Sequence, residues 1–171
     1  MDDTTTYYKD PPKLICELME DTFGDKFRGY YLGSPLRLPE TGYPCIVVQA
    51  ISANNSISRA ATGQDFVTEQ INIHFLYNAD TDAQARDTQD TTVRRLYQQV
   101  QGRDPDTGFY MTGSAMHALR SNLDLGGTVI NHDIDINYDV TREPGLPTIV
   151  EGIITLVTEE RVAVPDRIAQ A

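Results

Sequence analysis

The sequence predicts an α+β domain in which two to three α-helices pack on one face of a mostly antiparallel β-sheet. Three observations support this prediction. Apolar residues recur at helical spacing near the N-terminus and again around residue 95. Several other segments alternate between apolar and polar residues, or are short, apolar and β-branched, as strands are. The element order is helix, strands, helices, strands, without internal repeats, which is typical of this class.

The first helix is predicted over residues 13–23. Residues 1–12 are polar and end in two prolines, so we expect a flexible N-terminal arm there. The segment KLICELMEDTF then places Ile15, Leu18, Met19 and Phe23 on one stripe, and Gly24 follows as a helix-ending residue. Prolines before a helix and a glycine after it are the usual arrangement at helix ends.

Two strands are predicted in the next part of the chain. RGYYLGSPLRLP (28–39) reads as a strand or arm followed by a loop, and PCIVVQAIS (44–52) reads as a buried strand. The polar segment 53–65 has no periodicity, which indicates a long loop or the extended tip of a hairpin. FVTEQINIHFLYN (66–78) alternates and is predicted to pair with 44–52 in an antiparallel hairpin.

The C-terminal half is predicted to contain two helices and a strand hairpin. An amphipathic helix is expected over 82–101, and a shorter one over SAMHALRSNL (114–123). Strands are expected at 128–140 and 148–158, joined by a turn at 141–147. This division gives one domain over 13–160 and a C-terminal tail over 161–171.

Composition disfavours direct binding to nucleic acid. The chain has 171 residues, a net charge of -11, and 25 acidic against 14 basic residues, with no basic run. The two cysteines, Cys16 and Cys45, read as small buried hydrophobes, not as a catalytic thiol or a disulfide. The acidic N-terminal segment lacks signal-peptide features, so we expect the protein in the host cytoplasm until assembly.

The most unusual segment is INHDIDINYD (130–139). Ile130, His132, Ile134, Ile136 and Tyr138 share one parity, and Asn131, Asp133, Asp135, Asn137 and Asp139 share the other. Because side chains alternate along a strand, the sequence predicts a row of carboxylates and amides on one face.

A calcium loop does not explain the acidic row. The DxDxN spacing at 133–137 would need a glycine and a glutamate at the sixth and twelfth loop positions, which are Tyr138 and Pro144. A metal-dependent hydrolase that uses Asp133, Asp135 and Glu69 stays an alternative. The three histidines have no metal-ligand spacing, and nucleophile and phosphate-loop motifs are absent from the sequence. We therefore expect no enzyme, and assign no catalytic residue, metal ligand or cofactor.

Two interpretations of the row remain. It is the solvated face of an ordinary sheet, or it lines the lumen of a ring, where carboxylates would repel the phosphates of passing DNA. Charge alone is equally consistent with both.

The order of elements resembles that of the tail terminator proteins of long-tailed bacteriophages. The resemblance covers roughly residues 13–160: an N-terminal helix, a strand that ends at a long polar loop, the VTEQINIHFLY strand, an amphipathic helix and a terminal strand hairpin. It implies a hexameric ring in the virion, at the head–tail junction, that caps the tail tube and ends its polymerisation. The implied partners are further copies of the chain, the tail tube protein, a head–tail connector or neck protein and the tape-measure protein, with DNA passing through the lumen and no membrane.

Position and chemistry suggest two candidate sites on this reading. The candidate lumen residues are Asp133, Asp135 and Asp139, and the candidate tube or connector contacts are Asn54, Asn55, Ser56, Arg59 and Gln64. A neck or head-closure protein is the nearest alternative, and an adaptor unrelated to phages is another.

Overall fold

A computed structural model describes residues 10–34, 40–57, 64–81, 89–125 and 128–163. Three helices are α1 (Pro11–Phe23), α2 (Gln89–Val100) and α3 (Ala115–Ser121). Six strands are β1 (Gly29–Leu32), β2 (Cys45–Ile57), β3 (Gln64–Asn78), β4 (Asp124–Leu125), β5 (Thr128–Thr141) and β6 (Ile149–Ala163). They form one sheet in the order β1-β2-β3-β6-β5-β4.

The predicted α+β class is confirmed. Every strand pair is antiparallel except β1 with β2, which run parallel. The β2–β3 and β5–β6 hairpins lie side by side because β3 pairs with β6 along its whole length. None of the helices in the described ranges is long and apolar enough to cross a membrane.

The hydrophobic core lies on one face of the sheet. Alternate residues of the strands point toward the helices, as Ile73 and Phe75 of β3 and Ile154 of β6 do, and they are fully buried. Phe75 makes edge-to-face contacts with Phe23 at the end of α1 and with Phe27, at centroid distances of 5.8 and 5.9 Å. These contacts fix α1 over the β1–β2 side of the sheet.

Helix α1 begins two residues before the predicted start, within the segment that we expected to be an arm. Asp10 caps it by accepting a hydrogen bond from the Lys13 amide at 3.2 Å. Pro11 and Pro12 lie in its first turn, where a missing amide proton costs nothing, and both are buried. The rest of the predicted arm lies outside the described residues.

Helix α2 lies directly against β6 at Gly152. A Cβ atom at this position would lie 3.2 Å from Leu96 Cδ1 and 3.3 Å from Val100 Cγ2. Of the predicted helix over 82–101, residues 89–100 are helical and residues 82–88 lie outside the described part. The predicted third helix is observed at 115–121, capped by Ser114, whose hydroxyl accepts a hydrogen bond from the His117 amide.

Within the predicted loop at 53–65, residues 53–57 and 64–65 are strand, so these parts belong to a hairpin, and residues 58–63 lie outside the described part. Strand β2 continues to Ile57 and β3 begins at Gln64, with one irregularity in their pairing between Ala50 and Ser52. The predicted tail also contributes, since Arg161 pairs with Phe66 in a sheet that continues to Ala163. These polar residues are strand because β3 forms backbone hydrogen bonds with β2 on one side and with β6 on the other. Such pairing does not depend on apolar side chains, so the side-chain pattern does not reveal it.

Candidate interaction surface: the open face and the two edges of the sheet

The open face is the side of the sheet opposite the helices, and cross-strand pairing arranges its residues in rows. One row contains Asp139, Glu151 and Leu76, in the order β5, β6, β3. The next row contains Asn137, Ile153, His74 and Val47, and the third contains Asp135, Thr155, Asn72 and Gln49. Toward β1 the face is covered, because Cys45 and Val47 are almost fully buried. Toward β5 it is exposed and polar.

The predicted acidic row exists on this face. Asp133, Asp135 and Asp139 are exposed, as is Asn137. The pairing of β5 with β6 shifts between Ile130 and Ile134, where three residues of β5 (131–133) lie against a single residue of β6, Val157. Ile134 nevertheless pairs with Leu156 on the helix side, so Asp135 and Asp139 keep the open face, and Asp133 is exposed at the end of the irregular stretch. From Asp133 to Asp139 the row spans about 20 Å at the usual rise of a strand.

A chain of side-chain contacts crosses the open face beside the acidic row. His74 Nδ1 lies 2.6 Å from Glu151 Oε1, and His74 Nε2 lies 3.1 Å from Gln49 Nε2. Since a carboxylate only accepts, Nδ1 carries the proton that is shared with Glu151. Thr155 donates a hydrogen bond of 3.0 Å to Asn72 Oδ1 in the next row. No local pattern in the sequence indicates these contacts, because their partners are 25 to 83 residues apart.

The structure does not bring together the residues of the alternative hydrolase. Glu69 pairs opposite Thr158 on the helix side and is almost completely buried, whereas Asp133 and Asp135 are exposed on the open face. Among the described residues, no group of three or more His, Cys, Asp or Glu side chains is arranged to hold a metal ion. This arrangement does not support the expected use of Glu69 with the two aspartates.

The cysteines are not placed for nucleophilic chemistry. Burial raises the pKa of Cys45 from its ordinary value of 9.0 to about 11, so its thiol stays protonated near neutral pH. Burial, with the carboxylates of Glu20 and Glu17 nearby, also raises the pKa of Cys16. Both are free thiols.

Of the candidate contact residues of the 53–65 segment, the structure describes the side chains of Asn54 and Asn55 only. Asn54 and Asn55 are exposed and pair with Thr68 and Val67, so as neighbours on a strand they point to opposite faces. Ser56 and Gln64 belong to the paired backbone of β2 and β3, but their side chains are outside the description, as is all of Arg59. Beyond the pair of Ala53 with Glu69, which is still buried, β2 continues for four residues to Ile57, or roughly 13 Å.

Both edges of the sheet are open over long stretches. On one side β1 pairs only with Cys45–Val48, and no described strand lies beyond β2 from residue 49 to residue 57. On the other side β4 pairs only with Thr128 and Val129, and no described strand lies beyond β5 from residue 131 to residue 141. Unpaired edges of this length are templates for pairing with another chain.

Exposed apolar side chains accompany the two edges. Leu32 and Ile51 are about half exposed on the β1–β2 side. Val129, Val140 and Leu146 are exposed on or beside β5. Single exposed apolar residues are ordinary on protein surfaces, and these five lie on or beside the two edges of the sheet.

Comparison with known proteins adds no family to this description. No protein-family model matches the chain, and no curated protein is detectably similar to it in sequence.

Proposed function

We propose that this chain is a structural protein that assembles into a closed ring, with the open face of its sheet turned toward the central opening. The observation that carries the proposal is one sheet that combines an exposed acidic row on β5 with two unpaired edges. A ring removes such edges by pairing each subunit with the next, whereas a monomer leaves them exposed. The helices then form the outer layer.

Within that class, we propose the tail terminator of a long-tailed bacteriophage. The order of elements supports this assignment through its resemblance to that family. The ring would cap the tail tube, end its polymerisation and present a surface to the head connector. The projecting β2–β3 hairpin is the candidate element for contact with the tube or the connector.

The size of the sheet is suitable for a DNA channel. Strands β2, β3, β6 and β5 together span roughly 19 Å at about 4.8 Å per strand. Six copies give a circumference of roughly 115 Å and a backbone-to-backbone diameter of at least ~37 Å, before any strand tilt. Three copies give about half that diameter, which side chains would largely fill. With untilted strands, six copies therefore leave room for a duplex and three copies do not, and any strand tilt widens the ring.

The chemistry of the open face suits passage of DNA without adhesion. Asp133, Asp135 and Asp139 present carboxylates where phosphates would pass, and the chain as a whole carries a net charge of -11. Like charge raises the energy of a phosphate close to the wall, so a duplex stays centred and mobile. Lysine or arginine in the same positions would release counterions and bind the backbone.

The test is electron microscopy of particles from a phage that lacks this gene, beside the same phage complemented with it. Tails of abnormal length that fail to join heads are expected. Tails of normal length beside unattached, filled heads would instead indicate a neck protein. Intact and infectious particles would overturn the structural proposal altogether.

A further inference from the structure

We propose that the ring closes by antiparallel pairing of β5 of one copy with β2 of the next copy, and that β1 and β4 set the register of this joint. The inference rests on the proposed ring and names the surfaces that build it. The partner at each free edge is a second copy of this chain.

Strand direction allows a head-to-tail joint. Strands β2, β3, β6 and β5 alternate in direction, so β5 runs opposite to β2. A rotation about the ring axis keeps the angle of each strand to that axis, so every strand keeps its up or down direction. Strand β5 of one copy therefore meets β2 of the next in antiparallel orientation, and the alternation continues around the ring. Two different edges meet, so the contact is heterologous and closes into a cycle.

The short edge strands β1 and β4 block part of each edge and so limit where a strand of another copy can pair. Strand β1 occupies the outer side of β2 up to Val48, so an incoming β5 finds free backbone only from Gln49 onward. Strand β4 occupies β5 at Thr128 and Val129, so an incoming β2 finds free backbone only at residues 131–141. The free stretch of β2, residues 49–57, therefore fits between β1 of its own copy and β4 of the neighbouring copy.

Side-chain parity then selects a register. Ala50 pairs with Ile71 on the helix side of one subunit, and Val140 pairs with Val150 on the helix side too. Placing Val140 of one copy opposite Ala50 of the next keeps helix-side residues together. Beyond the irregularity of β2 between Ala50 and Ser52, the same register places Asn137 opposite Asn54, both on the open face.

The stagger that this register produces agrees with the geometry of closed sheets. Within one subunit Asn137 is level with Val47, through Ile153 and His74. Pairing it with Asn54 of the next copy displaces each subunit by about six residues, or roughly 20 Å, across a sheet about 19 Å wide. The strands are then tilted by about 45°, near the 35–45° typical of barrels. A level joint would give no tilt, and β1 would obstruct it.

Apolar surface meets at the proposed joint. Val140 of the incoming strand lies beyond Ala50, next to the end of β1, where Leu32 is 53% exposed. The turn after β5 brings Leu146, 61% exposed, toward the same end of β1. Burying these side chains between copies adds hydrophobic free energy to the backbone hydrogen bonds of the joint.

Cysteine cross-linking in the full-length chain tests the register. The variant carrying both Asn54→Cys and Asn137→Cys should form disulfide-linked oligomers under mild oxidation, because paired Cα atoms in antiparallel strands lie within disulfide range. The matched control carries Gln49→Cys and Asp135→Cys, which are level in the sheet and would cross-link only at a level joint. Mixing the two single variants of the first pair should give dimers and no longer species, because each subunit then carries one introduced cysteine and can form only one disulfide at a joint.

Native mass measurement, or imaging on tails where the free protein is monomeric, separates the possible failures. Rings without cross-linking of the Asn54–Asn137 pair, or with cross-linking of the control pair, would overturn the joint while the proposed function stands. Disulfide dimers of the Asn54→Cys single variant alone would overturn it too, since they require two β2 edges to meet. Absence of rings both in solution and on tails would remove the proposed function itself.

Discussion

The imidazole Nδ1 of His74 lies 2.6 Å from Oε1 of Glu151, diagonally across the paired strands β3 and β6. The two side chains are 17% and 22% exposed, so water screens this contact only in part. Gln49 meets the other nitrogen of the ring. The contact orders the centre of the open face beside the acidic row.

Replacing His74 by alanine should lower the free energy of unfolding by about 1–2 kcal/mol. The substitution leaves the half-buried Glu151 carboxylate without its donor and removes the partner of Gln49. Urea unfolding at neutral pH measures the loss. Glu151→Gln is the control, because an amide oxygen still accepts from Nδ1 and the expected loss is smaller. Equal losses for the two variants would contradict this account of the contact.

Gly152→Ala should destabilise the protein by about 1–3 kcal/mol, because α2 approaches β6 too closely for a methyl group. The new Cβ would lie 3.2 Å from Leu96 Cδ1 and 3.3 Å from Val100 Cγ2. Thermal unfolding of the single variants and of the double variant Gly152→Ala with Leu96→Ala measures their coupling. The double variant should lose less than the sum of the single losses, since truncating Leu96 makes room for the methyl group. Additive losses would show that the two positions are not in contact.

Cys45 should resist thiol reagents in the folded protein. Its pKa is raised by burial to about 11, and its side chain is fully buried. At pH 8 a chromogenic disulfide should therefore label Cys16 slowly and Cys45 only after unfolding, as the variants Cys16→Ala and Cys45→Ala would distinguish. Prompt labelling of both thiols without denaturant would contradict the described burial.

The same pKa shift gives a pH dependence. The raised folded value means that burial of the neutral Cys45 thiol favours the folded state fully below pH 9.0, the ordinary pKa. That contribution is lost as the pH rises through about 11. Stability should therefore fall over this alkaline window, and Cys45→Ala should show a shallower fall. An identical slope for the two proteins would show that the thiol does not contribute.

Removing charge from the acidic row should leave folding nearly intact. Asp133→Asn and Asp135→Asn change exposed side chains and should shift the free energy of unfolding by no more than about 0.5 kcal/mol. If the row lines a DNA channel, the same double variant in the phage should slow or block genome passage. Unchanged genome ejection together with a collapse of folding would contradict the lumen proposal.

Asp139→Asn offers a separate check on the sheet register. Asp139 is directly opposite Glu151 on the open face, and like charges in such pairs are unfavourable. Its replacement should raise the free energy of unfolding slightly, by a few tenths of a kcal/mol, in low salt and less in high salt. A clear destabilisation would indicate that the carboxylate has a structural role at this position.

The hairpin tip shows where sequence reasoning was limited. Residues 53–57 (ANNSI) are mostly small and polar and have no apolar alternation, so the sequence left open whether they formed a loop or a hairpin tip. They are strand because β3 supplies backbone partners as far as the pair Ile57–Asp65, and β6 continues the sheet beyond β3. Apolar alternation arises where one face of a strand is buried, so it cannot predict strands that project beyond the core.

The local periodicities of the sequence determined the secondary structure and the side-chain direction of individual segments. The spacing of Ile15, Met19 and Phe23 produced helix α1, and the alternation over residues 130–139 assigned Asp135 and Asp139 to the exposed face of β5. Such patterns are settled within a few residues, because side-chain direction in a helix or strand follows from backbone geometry alone.

Only the tertiary structure decided which strands are neighbours and which edges remain unpaired. The contact of His74 with Glu151 joins residues 77 positions apart, and the free stretches of β2 and β5 exist because β1 and β4 are short and paired where they are. Strand order and register depend on long-range pairing and on packing against the helices, which no local pattern in the sequence specifies.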